Sequence, residues 1–164
     1  MAELRLRGFI EFELKDAIRN EIIRKGREPI YDDVVQKGSN RNTVVTSGRR
    51  WVLQQIASSE INTAQSISYL AIGTGTAAPA TSDSALGSET TRKAIGTYTT
   101  TNLTSNPPSW RAEVSFATNE GNTTLGEVGL FNSSSGGTML ARATYSTINK
   151  TTSNTLSVSY TVSN

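Results

Sequence analysis

The chain has 164 residues, 16 Lys or Arg, 14 Asp or Glu, and neither His nor Cys, for a formal net charge of +2 at pH 7. Those two missing residue types exclude disulfides, thiolate and imidazole nucleophile pairs and the usual zinc ligands. Lys or carboxylate chemistry stays open, and so small a net charge does not argue for nucleic acid.

The charge is unevenly spread. Eleven of the basic residues and nine of the acidic ones precede Ile61, and the rest of the chain is charge-poor and rich in Ser and Thr. Thr is a good strand residue, and Ser and Thr solvate a sheet face without charge. This composition is common in β proteins that sit outside cells or on virus particles. No apolar run approaches the ~20 residues of a membrane span. Met1 to Arg5 carries none of the apolar core that a secretory signal needs. The length suits one domain with a real core.

In chain order, Leu4 to Leu14 alternates. Leu4, Leu6, Ile10, Phe12 and Leu14 fall on one side, Arg5, Arg7, Glu11 and Glu13 on the other, with Phe9 breaking the pattern on the polar side. This predicts a strand, a turn at Asp16 to Asn20 and a partner strand at Glu21 to Arg24. A helix from Glu11 to Lys25 is the rival, since Phe12, Ile18 and Ile22 share a loose helical face. Gly26 to Asn42 is polar, interrupted by Gly26, Pro29, Gly38 and Asn40, and reads as an extended segment or loop. Its Asp32-Asp33 pair reads as solvated rather than cation-binding.

Thr43 to Val45 is a short strand. Thr46 or Ser47 then caps a helix running to Ser58, with Val52, Leu53, Ile56 and Ala57 as its apolar stripe and Trp51 at the edge. Arg49 and Arg50 fall in its first turn, the less favourable end for cations. They read as solvated surface or as a grip on an acidic partner.

Ile67 to Ile72 is a compact apolar strand. Gly73-Thr74-Gly75-Thr76 comes next, but a phosphate cradle needs a helix after it. Ala77-Ala78-Pro79-Ala80 stands there instead, so the segment reads as a loop. Ser82 caps a single helical turn from Asp83 to Leu86. Thr90 to Asn102 is one Thr-rich strand with Ile95 and Tyr98, ended by Ser105-Asn106-Pro107-Pro108. Trp110, Ala112, Val114 and Phe116 share one face of the next strand, with Arg111, Glu113 and Ser115 on the other. Asn119 to Asn122 turns the chain.

Three strands close it: Gly126 to Phe131, Thr138 to Tyr145 and Asn154 to Val162, separated by Asn132 to Gly137 and Ile148 to Ser153. Such Gly, Ser and Asn clusters reverse a chain. In the last strand Leu156, Val158, Tyr160 and Val162 face one way, and Thr155, Ser157, Ser159 and Thr161 the other, the mark of a half-buried antiparallel strand. These residues, with Leu130, Leu140, Val114, Phe116 and Ile72, predict one core. Seven or eight short strands and one short helix predict a mainly β fold, an antiparallel β-sandwich or jelly-roll-like domain.

Residues 42–164 are expected to form that domain. Residues 1–41 are expected to form a strand-bearing arm that docks on a neighbouring subunit, through Arg5, Arg7, Phe9, Arg24, Lys25 and Arg27, with Arg49 and Arg50 as further partner contacts. The opposing reading makes Leu4 to Leu14 an ordinary strand of the same domain.

Several segments resemble a family of small structural proteins of tailed bacteriophages. They are Asn42-Thr43-Val44-Val45-Thr46-Ser47-Gly48-Arg49, Ile67 to Thr76 with its Gly-Thr-Gly-Thr end, Pro79, and Asp83-Ser84-Ala85-Leu86-Gly87-Ser88-Glu89. Gly126-Glu127-Val128-Gly129-Leu130-Phe131, Met139-Leu140-Ala141-Arg142 and Ile148-Asn149-Lys150 complete the set. The resemblance covers roughly residues 42–164. It implies a virion component with no enzymatic role and no cofactor, placed on the capsid as a decoration or cement protein or on the tail as a fibre, baseplate or collar component. It also implies assembly with other virion proteins and with itself, as a homotrimer, and not with nucleic acid or membrane.

Two other classes compete. Trp51, Tyr69, Tyr98, Trp110 and Tyr145 would serve a carbohydrate-binding module that recognises a host glycan, although aromatics in a sheet are more often core. Glu113, Glu120 and Glu127 are the only carboxylates in the sheet region that a depolymerase with paired carboxylates would have.

Overall fold

Period-2 alternation builds the first sheet. The computed structural model describes residues 7–16, 34–57, 66–102 and 109–163. In β10 (Asn154–Ser163) every second residue from Asn154 to Val162 is buried. On one side β10 pairs antiparallel with β1 (Arg7–Asp16), which sets Phe12 opposite Val158 and Leu14 opposite Leu156. On the other it pairs with β7 (Ser109–Phe116), which sets Val114 opposite Val158 and Phe116 opposite Leu156. β2 (Val34–Arg41) and β6 (Thr97–Asn102) flank these, giving the order β2-β1-β10-β7-β6.

The second sheet has the order β3-β9-β8-β4-β5. Its strands are β3 (Thr43–Val44), β4 (Tyr69–Gly73), β5 (Glu89–Ala94), β8 (Thr124–Phe131) and β9 (Met139–Asn149). Leu70, Ile72, Val128, Leu130, Ala143 and Ile148 meet the apolar face of the first sheet in the central core. This sheet is covered on its outer face too. There Val45, Ala71, Leu86, Phe131 and Met139 form a second apolar cluster, beneath the helix α1 (Thr46–Ala57) and the 74–88 segment. Burial on both faces is why β4 and β8 read as near-continuous apolar runs rather than alternating ones. The molecule is thus a mainly β antiparallel sandwich with one short helix, and every residue expected in the shared core is in it.

Several local expectations change. The three closing strands divide between the sheets: β8 and β9 form a hairpin in the second, and the turn after Asn149 carries β10 across to the first. Thr90 to Asn102 is two strands. Ile95, buried between them, donates its N–H to the Ser68 carbonyl at 2.8 Å, and the chain changes sheet there. Part of the polar Gly26 to Asn42 segment is strand β2, whose side chains reach the opposite sheet. Asn40 Nδ2 donates to the Thr144 carbonyl at 2.5 Å, and Gln36 Nε2 to that of Thr147 at 3.5 Å. Local polarity hid a strand that a sheet neighbour stabilises.

Neither Thr46 nor Ser47 caps the helix. The Val45 carbonyl takes the first N–H, from Arg49, and Ser47 Oγ donates to the Met139 carbonyl at 3.2 Å. The helix lies so close on β9 that a Cβ at Gly48 would overlap the Leu140 backbone. Trp51 and Val52 pack on the core, but Leu53 is exposed. Ser82 starts no helical turn. A reversal stands there, in which Asp83 N donates to the Ala80 carbonyl at 3.1 Å and Ala80 N donates back to Asp83 Oδ2 at 2.9 Å.

The largest correction concerns the expected arm. β1 has a partner on each edge, and Ile10, Phe12 and Leu14 are in the core. Leu4 to Leu14 is therefore, from Arg7 on, a strand of the sandwich, and the boundary at residue 41 does not divide two units. A strand paired on both edges offers no backbone to a neighbour. The rival helix from Glu11 is excluded as far as Asp16. The turn at Asp16 to Asn20, the strand at Glu21 to Arg24 and the Asp32-Asp33 pair lie, from residue 17 on, outside the described residues.

Stability should reflect this packing in two ways. Val158→Ala is expected to cost about 1–3 kcal/mol in urea unfolding, as deletion of buried methyls does. A cost below about 0.5 kcal/mol, typical of surface positions, would contradict this packing. Deleting residues 1–41 strips three core side chains and uncovers β10, so cooperative melting in circular dichroism should disappear.

Candidate functional site

Three segments distant in sequence converge on one carboxylate. In β8, Val128 and Leu130 face the central core, so Glu127 points to the covered outer face and is fully buried there. A buried charge needs a partner and hydrogen bonds for its remaining lone pairs. Both are present. Glu127 Oε1 accepts N–H bonds from Gly75 at 3.0 Å and Ser88 at 2.7 Å, and Oε2 accepts one from Gly87 at 2.9 Å. Arg142, on the neighbouring strand β9, donates Nε to Oε2 at 2.9 Å and reaches it again with Nη2 at 2.8 Å. Its Nη1 turns to Asp83 Oδ2 at 2.8 Å. The Gly73 to Thr76 loop thus aims its backbone at an anion, and the anion is the protein's own. A side chain at Gly75 would run into that carboxylate.

Burial alone would raise the Glu127 pKa, but the Ser88 and Gly87 N–H groups, Arg142 and the Gly75 N–H outweigh it and hold the carboxyl below its ordinary value. Tyr145 donates its hydroxyl to the Glu127 carbonyl at 3.3 Å, and burial first, then the Glu127 charge, push its own pKa up.

The other charges after Ile61 act in the same way. Arg92 lies 3.7 Å over the Phe131 ring, grips both oxygens of Glu89, and donates to the Ser133 and Gly136 carbonyls of the β8–β9 turn. Lys93 pairs with Glu120 at 2.7 Å. Arg111 pairs with Glu113 at 2.9 Å. Lys150 is buried and donates to the Ala117 carbonyl at 2.7 Å and Asn122 Oδ1 at 2.9 Å, tying down the β7–β8 turn. Burial lowers its pKa, against the pull of Glu120.

Of the candidate carboxylates, Glu120 and Glu127 are held by cations and N–H groups of the chain itself. A general acid at neutral pH needs a raised carboxyl pKa. The Lys93 ammonium, then the Ala117 N–H, hold Glu120 below its ordinary value, as the cradle does Glu127.

No family model, curated protein or solved structure matches the chain. The site must be read from its own geometry.

Of the expected partner contacts, Arg5, Arg24, Lys25 and Arg27 lie outside the described residues, as does the side chain of Arg7. Phe9, Arg49 and Arg50 are exposed. Phe9 and Arg49 come together with Arg41, Asn42 and Thr43 around an open cleft of about 640 Å³ at one end of the sandwich. β1 brings Phe9 there, the β2–β3 crossing brings Arg41 to Thr43, and the first turn of α1 brings Arg49. Arg50 follows Arg49 in the helix. Sequence reasoning missed Arg41 and Asn42, because the segment holding them reads locally as loop. Among the described side chains the aromatics do not make a common platform: Tyr145 is buried, Trp51 and Trp110 are half-buried against the core, and Tyr69 packs on the outer cluster, while the side chain of Tyr98 lies outside the described residues.

Glu127 and Asp83 both have depressed folded-state pKa values. The stability they contribute is present above their unfolded values, near 4.5 and 3.8, and is lost as pH falls through the lower folded ones. Thermal midpoints should therefore drop on acidification below about pH 4.5, and Glu127→Gln should flatten that drop. Arg142→Met, which leaves the carboxylate buried without its cation, is expected to cost about 3–5 kcal/mol at pH 7. Urea titrations of the two single variants and the double variant measure the coupling; additive costs would contradict it.

Proposed function

We propose that this chain is a non-enzymatic structural protein of a tailed-bacteriophage virion, held on the outside of the particle by protein–protein contacts as a capsid decoration or cement protein or as a small tail component. One observation carries the reading. Four of the segments that carry the resemblance meet in a single internal network: Gly75 of the Gly-Thr-Gly-Thr loop, Asp83, Gly87 and Ser88, Glu127 and Arg142. What these segments supply is rigidity. Their polar groups are spent on one another, which suits a scaffold that must keep its shape under load and does not suit a reactive site.

The two placements make different use of the same body. A cement protein spreads over a shell and a small tail adaptor sits between rings; both present side-chain surfaces to fixed neighbours. These 164 residues hold no heptad or shaft repeat, which fits either placement better than the shaft of a fibre. Self-association as a trimer matches the symmetry such positions offer.

Immunogold electron microscopy of intact particles, with an antibody against this chain, tests the proposal. Gold should decorate the outer shell or the tail. Particles free of both label and chain would overturn it. Light scattering of the purified protein should give three times the chain mass; a monomer in solution and on the particle would remove the trimer. Binding to a glycan array that vanishes in a folded Trp110→Ala variant would favour the carbohydrate reading instead.

A further inference from the structure

The cleft at the end of the sandwich holds the charge that the fold leaves over. Among the described side chains, every cation after Ile61 is bonded within the chain, and Lys15 and Lys37 both pair with Glu13. Arg41, Arg49 and Arg50 have no ion pair among the described residues. Arg41 and Arg49 line the cleft, and Arg50 follows Arg49 in the helix. The first turn of α1, with no acidic residue in it, adds the positive end of the helix dipole. Cations left unpaired in this way gain from an anion.

Two more features mark the place. Phe9 is a large apolar side chain left 41 % exposed at the cleft wall. Asn42 lines the cleft as well, with its side-chain amide buried beside the Tyr160 hydroxyl of the core.

From this we infer that the cleft receives an acidic peptide segment of the protein against which this chain packs, its carboxylates on Arg41 and Arg49 and an apolar side chain on Phe9. This inference rests on the proposed structural role and names the contact that role needs. A peptide fits better than an acidic sugar. A short peptide can carry carboxylates for Arg41 and Arg49 and an apolar side chain for Phe9 at once, which one sugar acid cannot. The cleft is also open, whereas small-molecule sites enclose most of their ligand. Arginine forks hold carboxylates in two-point geometry.

The test uses the full chain and a fluorescein-labelled oligoglutamate peptide, read by anisotropy at low salt. The peptide should bind, release as salt rises, and bind the Arg41→Gln/Arg49→Gln double variant about tenfold or more weakly. These side chains are outside the core, so the variant should melt no lower than the wild type; Lys37→Gln is the control. No binding, or binding that the double variant keeps, overturns the inference. So does displacement of the labelled peptide by free glucuronate at equal carboxylate concentration, which assigns the cleft to an acidic sugar. Incorporation into particles separates this contact from the wider proposal. If the wild-type chain is on particles and the double variant joins them equally well, the contact is wrong and the virion reading stands. If the chain is on no particle but the double variant loses the peptide, the virion reading fails and the cleft's preference stands.

Discussion

A carboxylate without water must be met on all sides, and the second sheet is shaped by meeting that demand at Glu127. Two strands, β8 and β9, bring Glu127 and Arg142 together on a face that would otherwise be open. That pair alone leaves lone pairs unsatisfied. The 74–88 segment must then pass over it with the N–H groups of Gly75, Gly87 and Ser88 turned inward. The course of that segment in turn places Leu86 on the outer apolar cluster and Asp83 on the free side of the guanidinium. A substitution that neutralises one member leaves the others buried and unpaired, so the elements stand or fall together.

The same logic explains why so charge-poor a region keeps any charge at all. Ser and Thr can solvate a sheet face, but they cannot hold a turn against a strand from a distance. Long side chains can. Arg92 spans from β5 to the β8–β9 turn, Lys150 from the end of β9 to the β7–β8 turn, and each ends on carbonyl oxygens that lack a sheet partner. The charges here replace the cross-links that a cysteine-free chain does not have. Once they are subtracted, the described cations without an ion pair are Arg41, Arg49 and Arg50, and two of them line one cleft. A modest global charge can therefore hide a local one.

Much of the sandwich was legible. Alternation in Leu4 to Leu14, Trp110 to Phe116 and Leu156 to Val162 located β1, β7 and β10 and named their buried faces, because period 2 with one apolar side has no other solution. What alternation cannot say is which strand lies beside which. Hence β1 read as a detachable arm when it is bonded on both edges, and Thr90 to Asn102 read as one strand when Ile95 turns it between sheets. β2 was missed because Gly38, Ser39 and Asn40 are poor strand residues whose pairing with β1 overrides propensity. The buried network was half legible. A lone Glu127 and a lone Arg142, each inside an apolar strand, were a signal of mutual neutralisation. The glycines opposite them gave no sign of their target, since a loop of N–H groups serves a bound phosphate and an internal carboxylate equally well.

The pairing of β1 also constrains how such a protein can assemble. The sheet edges are β2 and β6 in one sheet and β3 and β5 in the other. β2 is laced to β9 by Asn40 and Gln36, β3 is two residues long, and β5 carries Arg92 and Lys93. Short, tied or charged edges are what proteins use to prevent strand addition. With backbone recognition discouraged on these three edges, the proposed attachment would use β6 or side chains on the exposed faces and ends. There the polar Ser and Thr of the first sheet's outer face offer little energy, because their hydrogen bonds to water are merely exchanged. Exposed arginines beside an exposed aromatic are a different matter. They are the residue types that carry binding energy at protein interfaces, and they do so where water is excluded between them. The end of the sandwich holding Phe9, Arg41 and Arg49 is the described surface with that chemistry.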